Sequence, residues 1–189
     1  KTHNFGIIPT PTAQFLVEKN SLAGGIVITA SHNPTEWNGL KFIDSDGCFI
    51  GSNKNLDLFK IADADLAHEE KLGDIHSIKS GFLPHIEHTL NLSVIDTSLI
   101  ENRKFTVVID AVNGAASMAL PAMLEALGCT VSRLYCEPNG EFPRGAEPLP
   151  HNLKNLSDAV IANNADVGFA TDPDGDRLAV VDEKGQPLG

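Results

Sequence analysis

Three aspartates, Asp172, Asp174 and Asp176, stand two residues apart in one short segment, with Pro173 and Gly175 between them. Two like charges about 4 Å apart repel each other by roughly 4 kcal/mol at an effective dielectric constant of 20. A divalent cation removes that repulsion, and carboxylate oxygens are ligands that suit Mg²⁺. Because the proline and the glycine help the segment to turn, the spacing predicts a Mg²⁺ site. A solvated acidic turn is the alternative.

Two other interpretations of the aspartate segment fit it less well. An EF-hand loop that starts at Asp172 would place Glu183 at its twelfth position, but its sixth position holds Arg177 where the sharp turn requires glycine. The flanking residues also have the composition of strands, whereas an EF-hand loop joins two helices. A phosphatase of the haloacid-dehalogenase type would use Asp172 as its nucleophile, but its D-x-D-G-T pattern has threonine where this chain has Asp176.

A serine follows a short apolar run at 26–29 that predicts a buried strand. Loops at the carboxyl ends of strands carry ligands in α/β sheets, so Ser31 is a candidate nucleophile or phosphate carrier. A polar turn that satisfies its own backbone is the alternative. The G-x-S-x-G pattern of an esterase does not surround this serine. The neighbouring His32 is a candidate for proton transfer or for a hydrogen bond within the loop.

Two cationic residues stand beside these segments. Lys41 lies in the strand predicted after the serine loop, where it is either a partner for the same anion or an ordinary surface lysine. Arg177 directly follows the third aspartate. Its planar guanidinium suits two oxygens of a phosphate, and an ion pair within the acidic segment is the alternative.

The surrounding sequence predicts an α/β fold in which helices flank mixed, parallel-rich sheets. Short apolar runs bounded by turn residues predict strands, and apolar residues at helical spacing predict helices. The predicted strands cover 26–29, 40–43, 105–109, 131–135, 166–170 and 178–182. The predicted helices cover 12–20, 56–67, 82–100, 115–127 and 152–163.

Three local signals refine this prediction. Thr10 followed by proline is typical of an N-cap and a first helical residue. Pro121 is expected to bend or restart the helix that contains it. The polar residues at 101–103 separate two self-contained patterns, so we expect two consecutive α/β domains at 1–102 and 103–189.

The composition restricts the partners of the chain. Lys plus Arg number 14 against 25 Asp plus Glu, which gives a net charge of −11 and argues against a nucleic-acid surface. No run reaches the roughly 20 apolar residues of a membrane span. The three cysteines form no C-x-x-C pair, which predicts reduced thiols and a cytoplasmic location.

The serine and aspartate segments together resemble the α-D-phosphohexomutase superfamily, which includes phosphoglucomutase, phosphomannomutase and phosphoglucosamine mutase. The two family motifs stand here as TASHNP and DPDGDR, in the order and at the spacing of the family. The stretches GIIPTP, WNGLKF and DAVNGA are also similar to the family. The stretch PNGEFPR resembles the archaeal-type and related bacterial branch, in which phosphoglucosamine mutase and phosphomannomutase are common.

The resemblance implies the interconversion of hexose 1-phosphate and hexose 6-phosphate through a 1,6-bisphosphate. Ser31 would be phosphorylated in the active enzyme, and the three aspartates would bind Mg²⁺ together with a phosphoserine oxygen. His32 and Lys41 would transfer or orient protons, and Arg177 would contact the phosphoryl group.

The family has four domains, and the resemblance covers most of the first and of the second. The sugar-recognition motif of the third domain, G-E-x-S-G-H, does not occur in this sequence. The implied partners are therefore a hexose phosphate and domains 3 and 4 of the same polypeptide. Two alternatives stay open, a Mg²⁺-dependent phosphatase with an aspartate nucleophile and a metal-binding fragment without turnover.

Overall fold

The computed structural model describes residues 1–33, 36–64 and 73–188, and it confirms the predicted α/β class. The strands in this part are β1 (Thr2–Asn4), β2 (Gly24–Ile28), β3 (Leu40–Asp44), β4 (Ile75–Ser77), β5 (Thr106–Asp110), β6 (Thr130–Leu134), β7 (Val167–Thr171), β8 (Leu178–Val181) and β9 (Pro187–Leu188). The α-helices are α1 (Thr10–Lys19), α2 (Ser52–Asp63), α3 (Leu83–Leu90), α4 (Thr97–Arg103), α5 (Ala116–Ala126) and α6 (Lys154–Ala162). No helix in the described ranges is long and apolar enough to span a bilayer.

The second half of the chain forms a five-stranded sheet in the order β6-β5-β7-β8-β9. The first three strands are parallel, while β8 and β9 each run antiparallel to their neighbour. Alternate residues of β5 are buried on opposite faces: Val107 and Ile109 pack in the cluster with α5, and Val108 packs with α6. Burial on both faces explains why β5 is a continuous apolar run. Because β5 and β7 run parallel, their carboxyl ends lie at the same edge of the sheet.

The first half contains two small sheets. Strands β1 and β4 pair in parallel, and β2 pairs with β3 in antiparallel register from Gly24↔Asp44 to Ile28↔Leu40. Helix α1 packs on β2 through Val17, and a Cβ at Gly25 would lie 2.7 Å from the Val17 side chain. This register places the serine loop between the end of β2 and the start of β3.

Several predicted boundaries need correction. The single helix expected at 82–100 is wrong, because the chain forms α3 and α4 with a break between them. The Asp96 carboxylate accepts a hydrogen bond from the amide of Leu99 and so caps α4 at its N-terminus. Of the two outcomes expected at Pro121, a restart does not occur, since this buried proline lies inside the continuous helix α5, and a bend stays a prediction. The expected N-cap Thr10 is instead the first residue of α1.

Other differences concern element ends. Helix α2 begins four residues before the predicted start at 56, and positions 65–67 of that prediction lie outside the described residues. The short strands β1, β4 and β9 were not predicted, because two or three residues give no periodic apolar pattern. Residues 101–103 form the end of α4, and the proposed domain boundary there stays a prediction.

Candidate functional site

The three aspartates lie in the turn that connects β7 to β8. Asp172 and Asp174 are buried, with exposures of 0% and 3%, and Asp176 is exposed. One carboxylate oxygen of each residue lies within 4.8 Å of the other two. Gly175 has a φ of +72°, a left-handed conformation that glycine adopts without strain, and a Cβ there would lie 3.1 Å from Pro9. The convergence expected from the spacing of the aspartates is therefore present.

Two of these carboxylates have an oxygen without a partner. Asp172 Oδ1 accepts hydrogen bonds from the backbone amides of Asp176 and Arg177, at 3.1 and 3.0 Å. Among the described residues, Asp172 Oδ2 and Asp174 Oδ1 are buried and have no hydrogen-bond partner. Buried polar atoms without a partner are rare in native proteins, and an oxygen set of this kind suits a hard divalent cation. The residues present therefore fit Mg²⁺.

The protonation of the two buried carboxylates differs. Burial raises the pKa of Asp172 to about 7, and repulsion from the other two aspartates adds to this increase. The hydrogen bond from the Arg177 amide lowers the pKa but does not outweigh these effects. Burial also opposes ionisation of Asp174, but hydrogen bonds from Lys41 and Thr10 outweigh it and hold its pKa below the ordinary value. Burial thus favours the neutral form of Asp172, whereas Lys41 and Thr10 favour the ionised form of Asp174.

Two residues from the first half of the chain reach Asp174. Lys41, on β3, donates hydrogen bonds to Asp174 Oδ2 at 2.7 Å and to Asp176 Oδ2 at 2.9 Å. Burial would lower the pKa of Lys41, but these two bonds outweigh it and raise the pKa above its ordinary value. Thr10 donates from its hydroxyl to Asp174 Oδ2 at 2.7 Å and from its backbone amide to the Asp174 carbonyl at 2.8 Å. Asp174 therefore joins the two halves of the chain.

The candidate serine lies in a constrained turn. Ser31 has a φ of +53°, a region that serine seldom adopts. Its amide donates a hydrogen bond to Thr29 Oγ1 at 2.9 Å, and its hydroxyl oxygen lies 3.2 Å from His32 Nδ1. Pro34, the last residue of the serine motif, lies outside the described residues. The turn thus presents the Ser31 hydroxyl beside an imidazole.

The serine turn and the aspartate turn open on one cavity. This cavity has a volume of about 530 Å³, and both Ser31 and Asp174 line it. The loop that follows β6 contributes Pro138, Gly140 and Phe142 to its wall. The fold therefore brings together the two segments that carry the candidate chemistry, although about 140 residues separate them in the sequence.

Arg177 has a partner outside the aspartate segment. Its guanidinium pairs with the carboxylate of Glu147, and both side chains are partly exposed. The ion pair within the acidic segment that the sequence left open is therefore not formed. Arg177 contacts the aspartate turn through its backbone amide, which donates to Asp172 Oδ1.

The sequence does not predict the contacts of three buried residues near this site, Thr10, Asp110 and Arg144. The sequence indicates a helix cap at Thr10 and gives no sign of the buried ion pair between Asp110 and Arg144. Their roles depend on contacts between residues 164 and 34 positions apart. The one available signal was the charge of Arg144 within a loop rich in proline and glycine, which by itself predicts neither burial nor a partner.

Two family models match the chain. Residues 1–68 match phosphoglucomutase/phosphomannomutase alpha/beta/alpha domain I, and residues 81–185 match alpha/beta/alpha domain II. The matched ranges contain the serine loop and the aspartate loop respectively.

Individual proteins give the same result. The chain is 35% identical to a protein of Methanopyrus kandleri named as a probable phosphoglucosamine mutase, over 98% of this chain and 41% of that protein. It is 37% identical to a phosphoglucomutase/phosphomannomutase of Thermococcus kodakarensis, over 96% and 40%. The crystal structure of a phosphoglucomutase/phosphomannomutase family protein from Burkholderia thailandensis superposes with a TM-score of 0.78 at 30% identity, over 98% and 41%. The chain thus spans about two fifths of the length of these relatives.

Proposed function

The chain belongs to the phosphoglucomutase/phosphomannomutase family, and we propose that it supplies the phosphoserine and the Mg²⁺ site of a hexose-phosphate mutase. The observation that carries this proposal is the shared cavity, which Ser31 and Asp174 line together. The relatives named as phosphoglucosamine mutase and as phosphoglucomutase/phosphomannomutase favour a hexose monophosphate as the substrate. Domains 3 and 4 of the same polypeptide would complete its binding site.

The proposed Mg²⁺ ligands are the unpartnered oxygens Asp172 Oδ2 and Asp174 Oδ1, a carboxylate oxygen of Asp176 and an oxygen of phosphorylated Ser31. A phosphoserine adds a charge of about −1.5 to −2 at neutral pH, which makes a cation beside three aspartates necessary. Mg²⁺ held by these oxygens would neutralise this charge and would stabilise the charge that develops on the phosphoryl oxygens during transfer.

The proposed reaction moves one phosphoryl group out and another back. The bond between Ser31 Oγ and phosphorus breaks while a hydroxyl oxygen of the hexose monophosphate bonds to the phosphorus. The proton of that hydroxyl passes to water, and Ser31 Oγ takes up a proton from water through His32, whose Nδ1 lies 3.2 Å away. The resulting hexose 1,6-bisphosphate reverses its orientation in the site and returns its other phosphoryl group to Ser31 by the reverse steps.

The remaining cations orient the groups that react. Lys41 holds the aspartate loop through two carboxylates. Its proposed role is to fix the orientation of these carboxylates and to offset their charge beside the phosphoryl group. The partly exposed guanidinium of Arg177 would bind phosphoryl oxygens, which its planar set of donors suits.

The test is the mutase activity of the full-length protein with Ser31→Ala. Because the hydroxyl carries the phosphoryl group, we expect the activity to fall to the background of the assay. Ser21→Ala is the matched control, since Ser21 has a similar left-handed φ of +50° and lies in the turn after α1. Retention of most of the activity by Ser31→Ala would rule out the proposed mechanism.

A further inference from the structure

We infer that Asp110 and Arg144 form a positioning pair that sets the geometry, and hence the cation affinity, of the aspartate loop. The inference rests on the proposed function only in taking that loop as a Mg²⁺ site. Both residues lie behind the loop, at the carboxyl edge of the five-stranded sheet.

The contacts of the pair define a rigid bridge between two strands. Asp110 is the last residue of β5, and Thr171 is the last residue of the neighbouring strand β7. Arg144 Nε donates to Asp110 Oδ2 at 2.7 Å, and its Nη2 donates to the Thr171 carbonyl oxygen at 2.6 Å. Asp110 Oδ1 accepts a further hydrogen bond from the Val112 amide at 2.9 Å. The Arg144 guanidinium also donates to the carbonyl of Gly145.

The position of this bridge matters because Thr171 directly precedes Asp172. The bridge fixes the last carbonyl of β7. The Asp172 carboxylate then stabilises the turn by accepting hydrogen bonds from the backbone amides of Asp176 and Arg177. Asp172 Oδ2, on the residue that follows the bridge, is buried and has no hydrogen-bond partner among the described residues. Residues that fix metal ligands in this indirect way typically change metal affinity by about 10–100-fold when they are replaced.

Stability alone is a weak explanation for the pair. The Arg144 and Asp110 side chains are 2% and 0% exposed, so both charges have lost their hydration. Replacing a buried ion pair by well-packed uncharged residues is often neutral or stabilising. An apolar pair would leave the Thr171 carbonyl oxygen without the hydrogen-bond donor that Arg144 supplies. The chain therefore retains a charged pair at the position where it holds the start of the aspartate loop.

Two variants of the full-length protein separate positioning from stability, with Mg²⁺ titrated by calorimetry and thermal unfolding recorded in parallel. Arg144→Lys keeps a cation for Asp110, but a single ammonium does not reproduce the two-pronged contact with Asp110 and Thr171. Asp110→Asn with Arg144→Met removes both charges and leaves an acceptor for the Val112 amide. We expect each to unfold within a few degrees of the wild type and to bind Mg²⁺ about 10–100-fold more weakly.

Arg133→Lys is the matched control, because Arg133 forms an exposed ion pair with Glu125 at 2.6 Å in the same half of the chain. Its Mg²⁺ affinity should equal that of the wild type. Folded variants at 110 and 144 that bind Mg²⁺ within twofold of the wild type would overturn the positioning role alone. An equal loss in the Arg133→Lys control would overturn it too. A wild-type protein that binds no Mg²⁺ would instead overturn the proposed metal site and this inference with it.

Discussion

The carboxylate of Asp174 has its two oxygens in different surroundings. Oδ2 accepts hydrogen bonds from Thr10 and Lys41, whereas Oδ1 is buried without a partner among the described residues. Two donors on one oxygen fix the plane of the carboxylate, so the other oxygen points in a defined direction. The geometry of the proposed metal site therefore depends on a threonine that comes from the opposite half of the chain.

We predict that Thr10→Val lowers the Mg²⁺ affinity by about tenfold, because a supporting hydrogen bond to a ligand is lost while the shape of the side chain is kept. Thr12→Val is the control: Thr12 is also buried, at 3% exposure, but its hydroxyl contacts His85 Nδ1. Isothermal titration with Mg²⁺ compares the two variants. Equal affinities in both would show that the Thr10 hydroxyl does not orient Asp174.

A second prediction concerns a histidine of α3 whose ring packs against α1. Burial, followed by repulsion from His88, lowers the pKa of His85 below its ordinary value, and the ring stacks on Phe15 with a centroid distance of 4.7 Å. The unfolded chain then binds a proton more readily than the folded chain. The unfolding temperature should therefore fall as the pH drops through about 6.5, and the effect should level off below the folded pKa.

His85→Gln should reduce this loss of stability between pH 7.5 and 5.5, as followed by thermal unfolding. His151→Gln serves as the matched control, because it makes the same substitution at an exposed histidine. If the wild type and His85→Gln lost the same stability over this range, the stacked histidine would not be the group responsible.

At the scale of the elements, the segment just before α5 approaches the aspartate turn closely. A Cβ at Gly114 would lie 2.3 Å from the Pro173 carbonyl oxygen, and the Ala115 amide donates to that same oxygen at 2.6 Å. Both contacts involve backbone atoms, which cannot rotate away. Glycine at position 114 is thus required for the segment before α5 to support the aspartate turn.

We predict that Gly114→Ala destabilises the protein by about 1–3 kcal/mol, the usual range for overpacking, and also weakens Mg²⁺ binding. Gly51→Ala is the control, since nothing lies within 4 Å of a Cβ built there. Chemical denaturation and Mg²⁺ titration measure the two effects. A Gly114→Ala protein as stable as Gly51→Ala would contradict the close approach.

The elements also show what the sequence can predict. The strands at 105–109 and 166–170 were found because burial on both faces leaves a continuous apolar run. The helix at 82–100 was overextended, because its apolar spacing continues through the break that Asp96 caps. The converging aspartates follow from local spacing alone. Thr10 and Arg144 act through partners far along the chain, and no local pattern carries that information.

At the scale of the whole molecule, the chain spans about two fifths of the length of its relatives and carries a net charge of −11. An anionic sugar phosphate needs positive charge, and much of the cationic surface near the site is already paired: Lys41 with two aspartates and Arg177 with Glu147. We therefore predict that the 189-residue chain binds Mg²⁺ but has no mutase turnover. A coupled mutase assay tests this, and full turnover by the isolated chain would refute it.

The central claim is that Ser31 carries a phosphoryl group beside the aspartate turn. The most direct test is the intact mass of the full-length protein after incubation with a hexose 1,6-bisphosphate and Mg²⁺. We expect one acid-stable phosphate on the wild type and none on Ser31→Ala. Equal phosphate on both proteins, or an acid-labile acyl phosphate on Asp172, would contradict it.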